Sequence, residues 1–242
     1  MPVLNSAFEA AASFASGVVE ALKIKKLDKI NVIAWAGDGG TFDIGLQALS
    51  GAAERNTNMI YFCYDNEAYM NTGIQSSSAT PFGAITATDP ITGKRARKKD
   101  LESIVLAHNP SYLATATSGH PIDLYKKVMK AKQLKGFKCI HILSPCPPGW
   151  RYDSKYTVTL AKLAVETGLW PLYEIEKSKF NLTGVSKKIL EKPKIKNVEL
   201  YLKLQGRFSH LNDEDLQIIQ KFVSEGWDYL RRLNEIGELK RL

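Results

Sequence analysis

The chain is poor in cysteine, in histidine and in long apolar runs, and each shortage narrows what it can be. Three cysteines, Cys63, Cys139 and Cys146, are too few and too scattered among 242 residues to staple a fold. A disulfide framework is excluded, and a reducing, cytoplasmic compartment is expected. The four histidines, His108, His120, His141 and His210, show no metal-ligand spacing, so each reads as structural. No apolar run approaches the length of about 18 residues that would make a transmembrane helix, so no membrane association is expected. The N-terminus, MPVLNSAFEAAASFASG, has no basic leader, and Glu9 interrupts any signal-peptide core. It reads as a helix of the fold. Internal repeats and low-complexity segments are absent.

What is present suits one large α/β domain with an appendage. Hydrophobic residues make up 44% of the chain, an ordinary share for a globular protein. The formal net charge of +8 favours acidic partners such as phosphorylated cofactors or an acidic electron carrier. No RNA- or DNA-binding motif accompanies that charge, so nucleic acid is not an expected partner.

The organising stretch is Gly37 to Gln75, GDGGTFDIGLQALSGAAERNTNMIYFCYDNEAYMNTGIQ. An apolar run from Ile30 to Ala36 predicts a buried strand. Gly37-Asp38-Gly39-Gly40 breaks it, and the spacing of Phe42, Leu46 and Leu49 predicts a helix over 41–54. Met59 to Tyr64 predicts the next strand, ending in Asp65-Asn66. This is a βαβ unit of a parallel sheet, with its polar residues at the carboxyl ends of strands, where such sheets bind ligands. A helix N-terminus after a glycine turn offers free N–H groups to phosphate. Asp38 adds a negative charge at the same place, and a cation between carboxylate and phosphate reconciles the two. Mg²⁺ suits a site with few protein oxygens. Asp38, Asn66 and the carbonyl of Ala68 are its expected ligands. Gly37, Gly39, Gly40 and Thr41 are the expected diphosphate cradle. The alternative is an ordinary α/β turn in which Asp38 only caps the helix.

Elsewhere strands are expected at Tyr112–Thr117, Phe137–Leu143 and Leu169–Ile175. Helices are expected over 5–22, where Phe8, Phe14, Val18 and Leu22 share a face, and after Asp100. Others should follow Pro121 and Ser154, and the strongest amphipathic pattern runs over 213–233 with Asn212 or Asp213 as cap. The run Lys94-Arg95-Ala96-Arg97-Lys98-Lys99 reads as a solvated loop, or as a dock for coenzyme A phosphates or an acidic ferredoxin. Ser144 to Trp150 reads as a stiff, non-helical loop. A basic segment around Pro193 breaks the pattern after Phe180. The fold class is therefore α/β, a doubly wound parallel sheet over 1–180, with a helical C-terminal arm over 181–242 that packs on another subunit.

Two longer motifs, YDNEAYMNTGIQ (64–75) and SPCPPGW (144–150), join the GDG…Asn66 pair. Together they resemble the β subunit of the pyruvate:ferredoxin and related 2-oxoacid:ferredoxin oxidoreductases, over most of the chain. The resemblance implies thiamine diphosphate held through Mg²⁺. It also implies oxidative decarboxylation of a 2-oxoacid, with ferredoxin taking electrons and coenzyme A the acyl group. Partner subunits of α, γ and δ type are expected. The resemblance places Asn71 near thiazolium C2 and the substrate carbonyl, with Thr72 beside it. A turn role for Asn71 in Asn-Thr-Gly is the alternative. The carboxylate that activates the aminopyrimidine is expected from a partner chain, so this chain holds half a site. Cys146 matches a ligand of a [4Fe–4S] cluster, which takes four thiolates. Cys63 and Cys139 lie within strands and read as core. The family's other three cysteines belong to a region upstream of Met1, so they would have to come from another chain, or be truncated or lost. A non-redox thiamine decarboxylase or carboligase, and a silent scaffold subunit, are the competing readings.

Overall fold

The computed structural model describes residues 2–191 and 195–239; Pro193 lies outside them. Helix α1 (Ala11–Ile24) leads into β1 (Val32–Gly37), a π-helical turn (Gly39–Asp43), α2 (Leu46–Glu54) and β2 (Met59–Asp65). Then come α3 (Leu101–Leu106), β3 (Tyr112–Thr117), α4 (Pro121–Gln133), β4 (Lys138–Leu143) and the single turn α5 (Pro147–Trp150). Helix α6 (Thr157–Glu166) precedes β5 (Tyr173–Glu176) and β6 (Lys179–Leu182). The tail holds α7 (Gly184–Glu191), α8 (Glu199–Leu202) and α9 (Asp213–Ile236). Among the described residues no helix is long and apolar enough to cross a membrane.

The six strands form one sheet in the order β1-β2-β4-β3-β5-β6. The first four are mutually parallel, as expected of βαβ units, and their register sets the carboxyl ends of β1 and β2 side by side, with Gly37 opposite Tyr64. One correction concerns the far edge, where β5 and β6 form an antiparallel hairpin on β3. Lys177 and Ser178 join them, both with positive φ, as a tight hairpin turn requires. Neither is the Asn or Gly that advertises such a turn. Strands β3 and β4 are buried throughout, because helices or loops cover both of their faces.

Three other expectations are corrected. The helix over 41–54 is broken into a π-helical turn and α2, and at Gly45 between them a Cβ would stand 2.1 Å from the carbonyl oxygen of Gly40. Helix α1 begins at Ala11 and turns Ala12, Ala15 and Val19 inward, while Phe8 and Phe14 stay exposed. Small side chains let α1 lie close on the sheet; the aromatics would hold it off. Residues Pro147 to Trp150 make a helical turn instead of an irregular loop, with proline at its start where no N–H is needed.

Helix α9 is anchored by the chain's own core. Asn212 caps it through Asp215 N at 2.9 Å, and Ile219, Val223, Trp227 and Leu230 are buried in the main apolar cluster. Helix α4 covers the opposite face, with Leu124 and Val128 on Ile60, Phe62 and Ile140.

Candidate active site

The carboxyl ends of β1 and β2 bring Asp38 and Asn66 together. The inward atom of the Asn66 amide lies 3.0 Å from Asp38 Oδ1 and 2.9 Å from the carbonyl oxygen of Ala68. With nitrogen turned inward, the amide donates to both oxygens. With oxygen turned inward, three oxygens face one another, an arrangement that needs a cation. An octahedron with Mg–O bonds of about 2.05 Å has edges of about 2.9 Å, so the spacing fits that ion. Among the described residues no group of three or more His, Cys, Asp or Glu converges as a metal centre. The donor set here is carboxylate, amide and backbone carbonyl, which suits a hard cation.

Asp38 is buried, and burial together with the nearby Asp65 carboxylate pushes its acid up to about 7. Ser77 Oγ donates to its other oxygen at 2.5 Å and opposes that rise. Asp65 behaves differently. Burial pushes it up, but the Lys98 ammonium at 2.5 Å and the His141 imidazole at 2.8 Å outweigh burial and hold it at about 2. His141 is fully wedged between carboxylates, its Nδ1 lying 2.5 Å from Glu102 Oε1, and these partners raise its pKa against burial. Asp65 is thus a neutralised structural anion, whereas Asp38, buried as well, pairs with no cationic side chain among the described residues.

The turn 65–68 is strained and heavily tied. Glu67 has φ +66°, uncommon for a residue with a side chain. Its N–H donates to Asp65 Oδ1 at 2.8 Å, and its carbonyl accepts from Thr80 Oγ1 at 2.7 Å. Trp150 Nε1 donates to the carbonyl of Asn66 at 2.7 Å. The SPCPPGW loop therefore touches the same turn as the proposed metal ligands.

The glycine turn is packed for a reason that its spacing does not reveal. A Cβ on Gly39 would fall 2.2 Å from the Tyr69 ring. That ring is held by its hydroxyl, which donates to Asp43 Oδ2 at 2.9 Å. Thr41 is buried, and its hydroxyl donates to Gly37 O at 2.7 Å, so only its backbone N–H can serve a ligand. The first N–H groups of the Gly39–Asp43 turn have no partner within it, as at any helix start. Asn71 and Thr72 are exposed. Thr72 Oγ1 donates to Gln75 Oε1 at 2.5 Å, and the carbonyl of Thr72 accepts from Gln75 Nε2 at 2.7 Å. Cys63 and Cys139 are buried in strands, and Cys146 is half-buried at the start of α5.

The basic run is solvated only in its middle: Arg95, Ala96 and Arg97 are exposed, whereas the three lysines are half-buried and bonded. Lys94 Nζ donates to the carbonyls of Ser77, Ser78 and Thr80, and Lys99 Nζ to that of Phe42. Lys98 pairs with Asp65, and Arg97 lies 3.8 Å from the Phe222 ring centroid. Lys94 ties down the loop that carries Ser77, whereas Arg97 reaches Glu225 of α9. Sequence reading also missed Ser77, Trp150 and Arg207, whose partners are far away along the chain.

A parallel sheet with a glycine turn and a carboxylate–amide pair at its carboxyl edge defines a thiamine-diphosphate-binding domain. Residues 3–142 match the family described as thiamine pyrophosphate enzyme, C-terminal TPP binding domain. Within that class the chain belongs to the family of PorB and VorB subunits of the 2-oxoacid:ferredoxin oxidoreductases. It is 51% identical to the pyruvate synthase subunit PorB of Methanothermobacter thermautotrophicus over 96% of this chain and 80% of that one. It is 45% identical to the ketoisovalerate oxidoreductase subunit VorB of Pyrococcus abyssi over 97% of this chain and 77% of that one. A solved 2-oxoglutarate:ferredoxin oxidoreductase from Magnetococcus marinus shares the fold, with a TM-score of 0.55 and 21% identity over 88% of this chain and 72% of that one. The chain is an oxidoreductase subunit that works with other subunits, and the family sets aside the non-redox thiamine reading.

Proposed function

We propose that this subunit carries the diphosphate and metal half of a thiamine site in an enzyme that oxidatively decarboxylates pyruvate or a branched 2-oxoacid. The meeting of Asp38, Asn66 and the Ala68 carbonyl carries the reading. These three hold Mg²⁺, and Gly37, Gly39, Gly40 and the N–H of Thr41 cradle the diphosphate. When bound, thiamine diphosphate supplies a carbon nucleophile and an electron sink for loss of CO₂. Asn71 and Thr72 stand on the loop that follows Ala68 and orient the reacting end of the cofactor and the substrate carbonyl. A partner subunit supplies the carboxylate for the aminopyrimidine. Cys146 is one thiolate of a [4Fe–4S] cluster whose other ligands lie outside residues 1–242. Electrons leave for ferredoxin, and coenzyme A takes the acyl group. Residues 181–242 form an arm whose outer face packs on a partner subunit, and the assembly works in the cytoplasm, where the cysteines stay reduced.

Anaerobic purification with the native partners tests this reading, with thiamine, magnesium, iron and sulfide counted per complex. Equal thiamine and magnesium, with iron and sulfide present, are expected. Thiamine without iron would overturn the cluster assignment. Absence of thiamine would overturn the site.

A further inference from the structure

The geometry assigns to Arg207, far from the motifs, the role of a positioning residue for the metal ligands; this rests on the thiamine–Mg²⁺ reading above. Arg207 belongs to the C-terminal segment, 140 positions along the chain from Glu67, yet its Nη2 donates to Glu67 Oε2 at 2.6 Å. Both side chains are almost wholly buried, at 3% and 7% exposure. The guanidinium is itself fixed, because its Nε donates to Gln205 Oε1 at 2.9 Å and its Cζ lies 4.0 Å from the Trp150 ring centroid. One cation thus seats on the indole that holds the Asn66 carbonyl, and pairs with the carboxylate of the next residue.

The need for such a clamp lies in the backbone. Glu67 sits at φ +66°, between Asn66 and Ala68, the two ligands that must face Asp38. A residue with a Cβ leaves the left-handed region readily unless its surroundings hold it there. If Glu67 relaxed, the Ala68 carbonyl would rotate away from the Asn66 amide. The clamp acts from outside the coordination sphere: among the described contacts, the Arg207 side chain meets Glu67, Gln205, Trp150 and Phe208, and none of the three oxygens. Lys98 Nζ lies 3.5 Å from the other Glu67 oxygen, but it is committed to Asp65 at 2.5 Å.

The test is Mg²⁺-dependent thiamine diphosphate binding by the assembled complex, followed by the change in intrinsic fluorescence and by bound thiamine after gel filtration. Arg207→Gln should raise the Mg²⁺ concentration for half-saturation by about tenfold or more, as loss of outer-shell partners does. At saturating Mg²⁺ its kcat should stay within about twofold of wild type. In Glu67→Gly/Arg207→Gln, where glycine adopts the left-handed backbone unaided, half-saturation should return to within about threefold of wild type. A purely structural clamp would give no such recovery. Arg97→Gln breaks another ion pair to the tail, Arg97–Glu225 at 2.6 Å, and should leave half-saturation unchanged. If Arg207→Gln does not assemble, Arg207→Lys takes its place, with a smaller shift expected in the same direction. An intact variant that binds Mg²⁺ like wild type, or a double variant without recovery, overturns the role of Arg207. If the wild-type complex itself binds no thiamine diphosphate with Mg²⁺, the underlying site reading fails instead.

Discussion

Trp150 donates its indole N–H to the carbonyl of Asn66 at 2.7 Å, so the loop carrying Cys146 and the turn carrying the proposed metal ligands are one mechanical unit. Trp150→Phe keeps the aromatic packing on Tyr201 but removes the donor. The Asn66 carbonyl then loses a buried partner, which costs about 1–3 kcal/mol. Thermal unfolding of the complex should start several degrees lower, and bound thiamine per complex should fall at limiting Mg²⁺. Unchanged cofactor retention would mean that the two loops are joined only by packing.

Asp38 separates an enzyme subunit from a scaffold. Asp38→Asn keeps the shape and the hydrogen bond from Ser77 but removes the charge that a cation needs. Thiamine and magnesium in the purified complex should drop to a few per cent of wild type, while subunit assembly on gel filtration stays the same. Its fold should be at least as stable, because burial and the Asp65 charge penalise ionised Asp38. A scaffold reading gives no change in cofactor content, since none would have been present.

Much of this site was legible because its signals are local. Asp38 follows one apolar run and Asn66 follows the next, so the sheet must bring them to a common edge. The strand over 112–117 was likewise marked by its own composition. What escaped depends on partners distant in sequence. Nothing near Lys94 reveals that its ammonium will meet three carbonyls of 77–80. Arg207 reads as one more basic residue until the tail folds it onto Glu67. The hairpin at Lys177-Ser178 was hidden for a different reason: its residues adopt positive φ without the usual turn composition. Cβ crowding is equally silent: nothing in the spacing shows that the Tyr69 ring leaves no room for a side chain at Gly39.

Gly39 and Gly149 make a paired test of that crowding. A Cβ at either meets a side-chain atom at 2.2 Å, the Tyr69 ring in one case and Met70 Sδ in the other. Tyr69 is pinned by Asp43 at 2.9 Å, whereas Met70 has flexible torsions and is only half-buried. Gly39→Ala should therefore abolish cofactor binding and destabilise the fold by about 2–3 kcal/mol. Gly149→Ala should cost under about 1.5 kcal/mol. Denaturant unfolding of both variants checks the order, and equal losses would refute it.

Lys138 gives the fold a pH dependence of its own. It is 2% exposed, and among the described residues its Nζ meets only neutral acceptors, Asn58 Oδ1 at 2.8 Å and Leu134 O at 3.1 Å. Burial without a compensating carboxylate pushes its ammonium down to about 8. The unfolded chain keeps an ordinary lysine at about 10.4, so between those values the unfolded state binds more protons. Stability from this group must therefore rise with pH across that window, by at most about 3 kcal/mol. Below about pH 8 both states are protonated and the contribution is flat. Lys138→Met removes the titration, although it leaves the Asn58 oxygen short of a donor. The difference in unfolding free energy between wild type and Lys138→Met, measured at fixed ionic strength, should shift towards wild type as pH rises from about 8 to 10.4. A difference independent of pH would mean that the ammonium is well solvated, and that water reaches the gap between the start of β4 and the end of α4.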